Sequence, residues 1–214
     1  MIIKVCGMRD AENIRKVEQT GIDWMGFIFY PKSSRNITEK PQYLPTSQRR
    51  IGLFVNKPIE TIKDKVFEYE LDGIQLHGQE SPQFCVELSR TIGKAMFEQL
   101  GYPKPIFLIK AFNISDASDF EKVSEYDGTC QYYLFDTKSD KVGGSGKTWD
   151  WSLLEHYKGY APFLLSGGIG PEHLESVKQL KHPRLIGIDL NSRFEITPAM
   201  KDSELIGKFV QELR

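Results

Sequence analysis

Eight short apolar runs recur along the chain, and their spacing constrains the fold more than any single residue does: IIKVC, WMGFIF, IGLFV, LDGIQL, IFLIKAF, QYYLFD, PFLLS and LIGIDL. They are mostly continuous rather than alternating, which is how strands buried on both faces read. Between them lie polar stretches with helical spacing, among them AENIRKVEQTG from Ala11, IETIKDKVFEYE from Ile59 and SPQFCVELSRTIG from Ser81. Ser81 followed by Pro82 has the form of an N-cap with proline in the first turn, and Gly21 and Gly93 sit where helices should stop. The segment ITEKPQYLPTSQ holds Pro41 and Pro45 and predicts a short or broken turn instead of a full helix. Regular alternation of strand and helix implies βαβ units and a parallel sheet. Eight such units favour a closed (β/α)8 TIM barrel, here a single domain over residues 1–214, over an open doubly wound sheet.

Lys plus Arg total 28 against 29 for Asp plus Glu. This balance supplies no strong field for nucleic acid or an anionic membrane, so neither is an expected partner, and a phosphate would have to be held locally. No apolar run approaches the roughly 20 residues needed to span a bilayer, and the N-terminus lacks a secretory pattern, so a cytoplasmic location is expected. Cys6, Cys85 and Cys130 show no paired C-x-x-C spacing. Neither a disulfide framework nor a metal site is expected.

In a barrel the active site gathers at the C-terminal ends of the strands, so the residues just past each run are read together. They are Cys6 and Gly7, Arg35, Asn56, His77 and Gly78, Lys110, Asp136, Ser166 to Gly168, and Asp189 with Asn191 and Ser192. Cys6 is either a small buried hydrophobe or a thiolate favoured by a nearby cation or helix N-terminus. Asp136 either caps a turn or, beside a closed pocket, has its pKa raised enough to act as a general acid; Asp189 has the same setting and competes for that role. Arg35 either pairs bidentately with a carboxylate or faces solvent, and His77 is a base, a donor or a strand-end histidine bonding backbone. Cys85, on an expected helix, and Cys130, before a strand, read as structural. The stretch VGGSGKTWDW lacks the spacing of a P-loop, yet glycine-rich backbone can present N–H groups to an anion. SGGIGPEHL opens an expected helix after a strand, and with DLNSR it puts two adjacent loops where barrels frequently bind phosphate. A phosphorylated small molecule is the expected ligand.

Taken together, KVCGMR, GFIFYPKSSR, GLFVN, QLHGQE, LFDT, GGSGKTWDW, LSGGIGPEHL and IDLNSRFE with the later KD resemble the phosphoribosylanthranilate isomerases of tryptophan biosynthesis, in order from Lys4 to Asp202. The resemblance implies an Amadori rearrangement on a (β/α)8 barrel without metal or organic cofactor. It casts Cys6 as general base and Asp136 as general acid. It sets Arg35 to meet the anthranilate carboxylate with His77 near that end and Asp189 among the substrate contacts, and it puts phosphate on Gly168, Asn191 and Ser192 under a closing loop that holds Gly144 and Gly146. Where the family commonly reads D-x-S-S-G-V-E, this chain has Asn191 for a serine and Arg193 for a glycine, so Arg193 either adds a phosphate contact or packs outward. Gly7 reads as room for the substrate, and Lys4 either points into the barrel or continues the strand. Family members are monomers or homodimers. The alternatives are another phosphosugar aminoaldose isomerase, whose analogous site pairs two aspartates, a non-catalytic phosphometabolite-binding barrel, and a thiol sensor.

Overall fold

Each of the eight apolar runs is a strand in the computed structural model, which describes residues 1–137 and 150–214. The strands are β1 (Ile2–Cys6), β2 (Trp24–Ile28), β3 (Arg49–Phe54), β4 (Gly73–Leu76), β5 (Phe107–Ile114), β6 (Tyr132–Thr137), β7 (Phe163–Leu165) and β8 (Leu185–Leu190). Every neighbouring pair is parallel, and β1 pairs with β8 through Ile2↔Gly187 to Val5↔Leu190, so the sheet closes into a (β/α)8 barrel. One face of each strand fills the interior and the other packs beneath helices and loops, which is why the runs carry so few polar positions.

The interior is layered. At the N-terminal ends of the strands Trp24, Phe107 and Tyr132 meet with ring centroids 5.0 to 5.5 Å apart, and Ile2, Ile51, Ile109, Leu134, Leu164 and Ile186 surround them. This apolar plug closes the lower mouth. Above it lie three buried polar side chains, Lys4, Gln75 and Asp189. Among the described residues, that plug leaves the upper mouth as the end open to chemistry.

The outer ring consists of α1 (Ala11–Glu18), α2 (Ile59–Tyr69), α3 (Pro82–Leu100), α4 (Leu174–Gln179) and α5 (Ser203–Leu213). Ser81 caps α3 by accepting the Phe84 N–H at 3.2 Å, with Pro82 in its first turn, as the sequence indicates. Gly93 does not stop this helix, contrary to expectation. The buried stripe of Cys85, Leu88, Ile92 and Met96 continues past it, and packing along that stripe outweighs the roughly 1 kcal/mol that an interior glycine costs. The helix ends instead at Gly101, whose φ is +77°. Between β2 and β3 there is no helix, in keeping with the two prolines; Tyr43 and Leu44 pack on the core there, and the Glu18 carboxylate accepts the N–H groups of Thr46 and Ser47. The connections after β5 and β6 carry 3₁₀ helices over Ala117–Tyr126 and Trp151–His156. Past β8 the chain makes a short 3₁₀ turn and an antiparallel hairpin of β9 (Glu195–Thr197) and β10 (Met200–Lys201), an element the sequence reading did not foresee. Among the described residues no helix is long and apolar enough to cross a membrane.

Candidate active site

Strand alternation turns Lys4 and Cys6 toward the same inner face of β1. The Lys4 ammonium donates to both carboxylate oxygens of Asp189, at 2.9 Å each, and its charge acts on the Cys6 sulfur two residues along the strand. Burial works against this ammonium, but the Asp189 and Cys6 negative charges outweigh it and hold the Lys4 pKa above its ordinary value. Burial pushes the Cys6 thiol up; the Lys4 and Lys201 ammonium groups pull it back, and Asp189 adds to the rise. Both oxygens of Asp189 are therefore engaged beneath the thiol, where the carboxylate acts on any ligand through Lys4.

Around Cys6 runs an apolar crescent made by Ile28 and Leu53, with Tyr30 and Val55 packed against it. The opposing wall is polar. At the end of β6, Asp136 takes the Thr137 N–H at 2.8 Å and the Ser166 hydroxyl, and its Oδ2 lies 3.5 Å from His77 Nε2. Burial pushes the Asp136 carboxyl up to about 6, against the opposing pull of these donors and of the Lys4 charge. His77 is driven down to about 4, first by burial and then by the positive charges of Lys110 and Lys4. It is neutral at physiological pH. Gln75 Nε2 lies 3.1 Å from His77 Nδ1, and an amide that donates there would leave the ring proton on Nε2, the nitrogen nearer Asp136. The Asp136 and His77 side chains keep 19% and 12% of their surface, which leaves both open to a ligand.

Two strand-end candidates, Asn56 and Lys110, brace this wall from behind. Lys110 Nζ donates to the carbonyls of Gly78 at 2.8 Å and Ala111 at 3.1 Å and lies 3.3 Å from Glu80 Oε2. Glu80 in turn accepts the N–H groups of Asn56 and Gly78 at 2.7 and 2.9 Å. These bonds fix the His77–Gly78 turn.

Arg35, in the loop after β2, is buried and forked onto Glu195 of the hairpin, with Nε–Oε1 2.8 Å and Nη2–Oε2 2.6 Å. Its Nη1 carries no hydrogen bond among the described residues. Glu195 also accepts Lys201 Nζ at 2.7 Å, and Lys201 reaches Asn191 Oδ1 at 2.7 Å. Gly7, with φ +82°, completes this cluster: a side chain there would meet Arg35 Cδ at 2.8 Å and Asn191 Oδ1 at 3.1 Å. Arg35 and Asn191 thus stand in the space that a side chain at this position would need.

Gly168 follows β7, and Asn191 and Ser192 follow the adjacent β8, so these three share one sector of the upper mouth. Arg193 ties together the two loops that bound that sector. It is exposed, and its Nη2 pairs with Glu172 Oε1 at 2.5 Å, on the turn after β7. Its φ is not positive, so the turn needs no glycine. Gly144 and Gly146 lie outside the described residues. Among the described residues no group of His, Cys, Asp or Glu side chains could hold a metal ion.

Cys6, His77 and Asp136 thus line one mouth, with Arg35 tied to its rim. Sequence reasoning left Lys4 undecided and gave no role to Gln75, Glu195 or Lys201. For Lys4 the signal was available, since it stands two residues before Cys6 on one strand and must share its face.

Residues 3–212 match the family profile described as N-(5'-phosphoribosyl)anthranilate (PRA) isomerase. The N-(5'-phosphoribosyl)anthranilate isomerase of Phocaeicola vulgatus is 48% identical, over 100% of this chain and 98% of the relative, and that of Parabacteroides distasonis is 47% identical, over 100% and 93%. A phosphoribosyl anthranilate isomerase solved in complex with reduced 1-(o-carboxyphenylamino)-1-deoxyribulose 5-phosphate superposes with a TM-score of 0.77 at 31% identity, covering 100% of this chain and 98% of that one. With the barrel, the strand-end thiol and the acid across from it already in hand, a match that runs nearly the full length leaves one conclusion: this chain belongs to the N-(5'-phosphoribosyl)anthranilate isomerase family.

Proposed function

We propose that the chain converts N-(5-phosphoribosyl)anthranilate to 1-(2-carboxyphenylamino)-1-deoxyribulose 5-phosphate, a step of tryptophan biosynthesis, in a single catalytic domain over residues 1–214 in the cytoplasm, without metal or organic cofactor. The observation that carries this reading is the pairing of a carboxyl raised to about 6 with a thiol flanked by two ammonium groups, across one mouth half apolar and half polar.

The chemistry needs one proton donor and one acceptor on different atoms of the same substrate. Asp136, as the acid, gives its proton to the ribose ring oxygen. The C1–O bond breaks, the ring opens, and the anilino nitrogen lone pair forms the C1=N bond of a protonated imine. Cys6, as thiolate, takes the proton from C2, and the C2–H electrons become the C1=C2 bond of an enolamine while the imine π pair returns to nitrogen. Tautomerisation, with loss of the C2 hydroxyl proton and protonation at C1, yields the ketone, so the overall change is an isomerisation with nothing added or lost.

The crescent of Ile28, Tyr30, Leu53 and Val55 suits the flat anthranilate ring. The anthranilate carboxylate pairs with the free Nη1 edge of Arg35, with neutral His77 as a nearby donor. Asp189 contributes from the floor of the site through Lys4. The phosphate rests on Gly168, Asn191 and Ser192 under the loop bearing Gly144 and Gly146.

The test is the fluorescence of the anthranilate group. Purified protein with chelator present should consume the signal of freshly generated phosphoribosylanthranilate. Cys6→Ser and Asp136→Asn should each lower kcat by about 10²-fold or more while binding of the reduced product analogue survives. Folded wild-type protein that leaves the signal unchanged would point to the non-catalytic binding barrel instead.

A further inference from the structure

The buried cluster behind Cys6 holds one more positive charge than its structural pairs require. Glu195 is already neutralised by the two-pronged bond from Arg35. Yet Lys201, with its side chain wholly buried, directs its ammonium at the same carboxylate and otherwise meets, among the described residues, the neutral oxygens of Asn191. Two cations against one anion leave a surplus charge in the interior, which is costly unless another anion meets it. Asn191 Oδ1, which Lys201 holds at 2.7 Å, lies 3.1 Å from where a side chain on Gly7 would begin, so the ammonium stands beside the backbone turn that follows Cys6.

We propose that Lys201 is a positioning residue for the reaction: held by Glu195 and Asn191, its ammonium joins that of Lys4 in supplying the positive charge that lets Cys6 exist as a thiolate. This rests on the reading of Cys6 as the base. The charged groups facing Cys6 are Lys4 on its own strand, Asp189 from β8 and Lys201 from β10, with Arg35 and Glu195 beyond Lys201. The β2 neighbour is Gly26 and adds no charge. Lys4 pulls the thiol down most, but Asp189, to which it is bound, pushes it up, so Lys201 adds to what that pair leaves. Burial lowers Lys201 itself to about 8, with Glu195 and the Cys6 charge resisting the fall. Each group thus supports the charged form of the other, and the coupling is reciprocal.

The experiment follows the ¹³Cβ resonance of Cys6 and the ¹³Cε resonance of Lys201 against pH, alongside steady-state kinetics. Lys201→Met should move the Cys6 midpoint to higher pH by about one unit, a tenfold loss of thiolate at fixed pH, and lower kcat about tenfold with KM changed little. Lys201→Arg should restore both. Reciprocally, Cys6→Ser, which keeps the fold under less strain than loss of a buried lysine, should lower the Lys201 midpoint, so the test survives an unfolded Lys201→Met. A Cys6 midpoint unmoved in folded Lys201→Met, or a Lys201 midpoint unmoved in Cys6→Ser, overturns the proposal. A rise in KM alone would assign the surplus charge to a substrate anion and overturn it as well. Wild-type protein that fails to turn over substrate would count against the isomerase reading, while the coupled titration would stand or fall separately.

Discussion

Asp136 shows in one residue what a buried carboxyl at the barrel mouth costs the fold. A carboxyl raised to about 6 by burial is held in its charged form at neutral pH against its preference. Because its folded pKa lies above the unfolded value of 3.8, the folded state binds the proton more tightly, and the penalty is complete above about pH 6 and absent below about pH 4. Asp136→Asn keeps the oxygen that accepts the Thr137 N–H and removes the charge. It should stabilise the protein above pH 6 by at most about 3 kcal/mol, and that gain should vanish as the pH falls below about 4. Urea denaturation of the two proteins at pH 4 and pH 8 checks it; an equal difference at both would mean the gain has nothing to do with charge. The strand-end positions of Asp136 and Cys6 are legible in sequence because each closes a bounded apolar run, whereas their roles came only from the family resemblance. Lys201 is not legible in the same way, since its neighbourhood with Cys6 exists only once the hairpin folds back over the β1–β8 seam.

That hairpin leaves little trace at the scale of elements either. Its strands are three and two residues long, and its turn runs through Ala199 at φ +68° instead of through an Asn-Gly pair, so the usual hairpin signal is missing. The eight barrel strands, by contrast, were readable because each is a bounded apolar run, and the missing helix after β2 was readable from Pro41 and Pro45. The end of α3 was misjudged because glycine has two meanings there. At Gly93 and Gly101 a Cβ would meet nothing within 4 Å, so the two sites differ in backbone alone: Gly93 is helical and Gly101 has φ +77°. Gly93→Ala should therefore stabilise the protein by about 0.5–1 kcal/mol, and Gly101→Ala should destabilise it by about 1 kcal/mol. Denaturation midpoints with unchanged m-values measure both. The same sign for the two variants would mean that helix propensity and backbone strain do not govern this terminus.

For the molecule as a whole the decisive seam is β1 against β8, because an eight-stranded sheet that fails to close there has two open edges. The seam is pinned by backbone pairing from Ile2↔Gly187 to Val5↔Leu190 and, inside the barrel, by the buried pair of Lys4 and Asp189, which are register partners. A barrel could be closed by apolar residues at these positions with equal or better stability, since two charges taken out of water recover little more than their desolvation. The ion pair is better explained by the site above it, where the Lys4 charge acts on Cys6. Stability and turnover should then separate. Lys4→Met alone strands the Asp189 carboxylate in the interior and should cost about 3–5 kcal/mol. The double change Lys4→Met with Asp189→Leu removes both charges and should recover most of that loss in urea denaturation, yet leave kcat as low as in the single variant, because the thiol has lost the ammonium that pulls on it most. Recovery of turnover together with stability would mean that Lys4 serves only to close the barrel; no recovery of either would mean that the cavity geometry, and not the stranded charge, makes the single variant unstable.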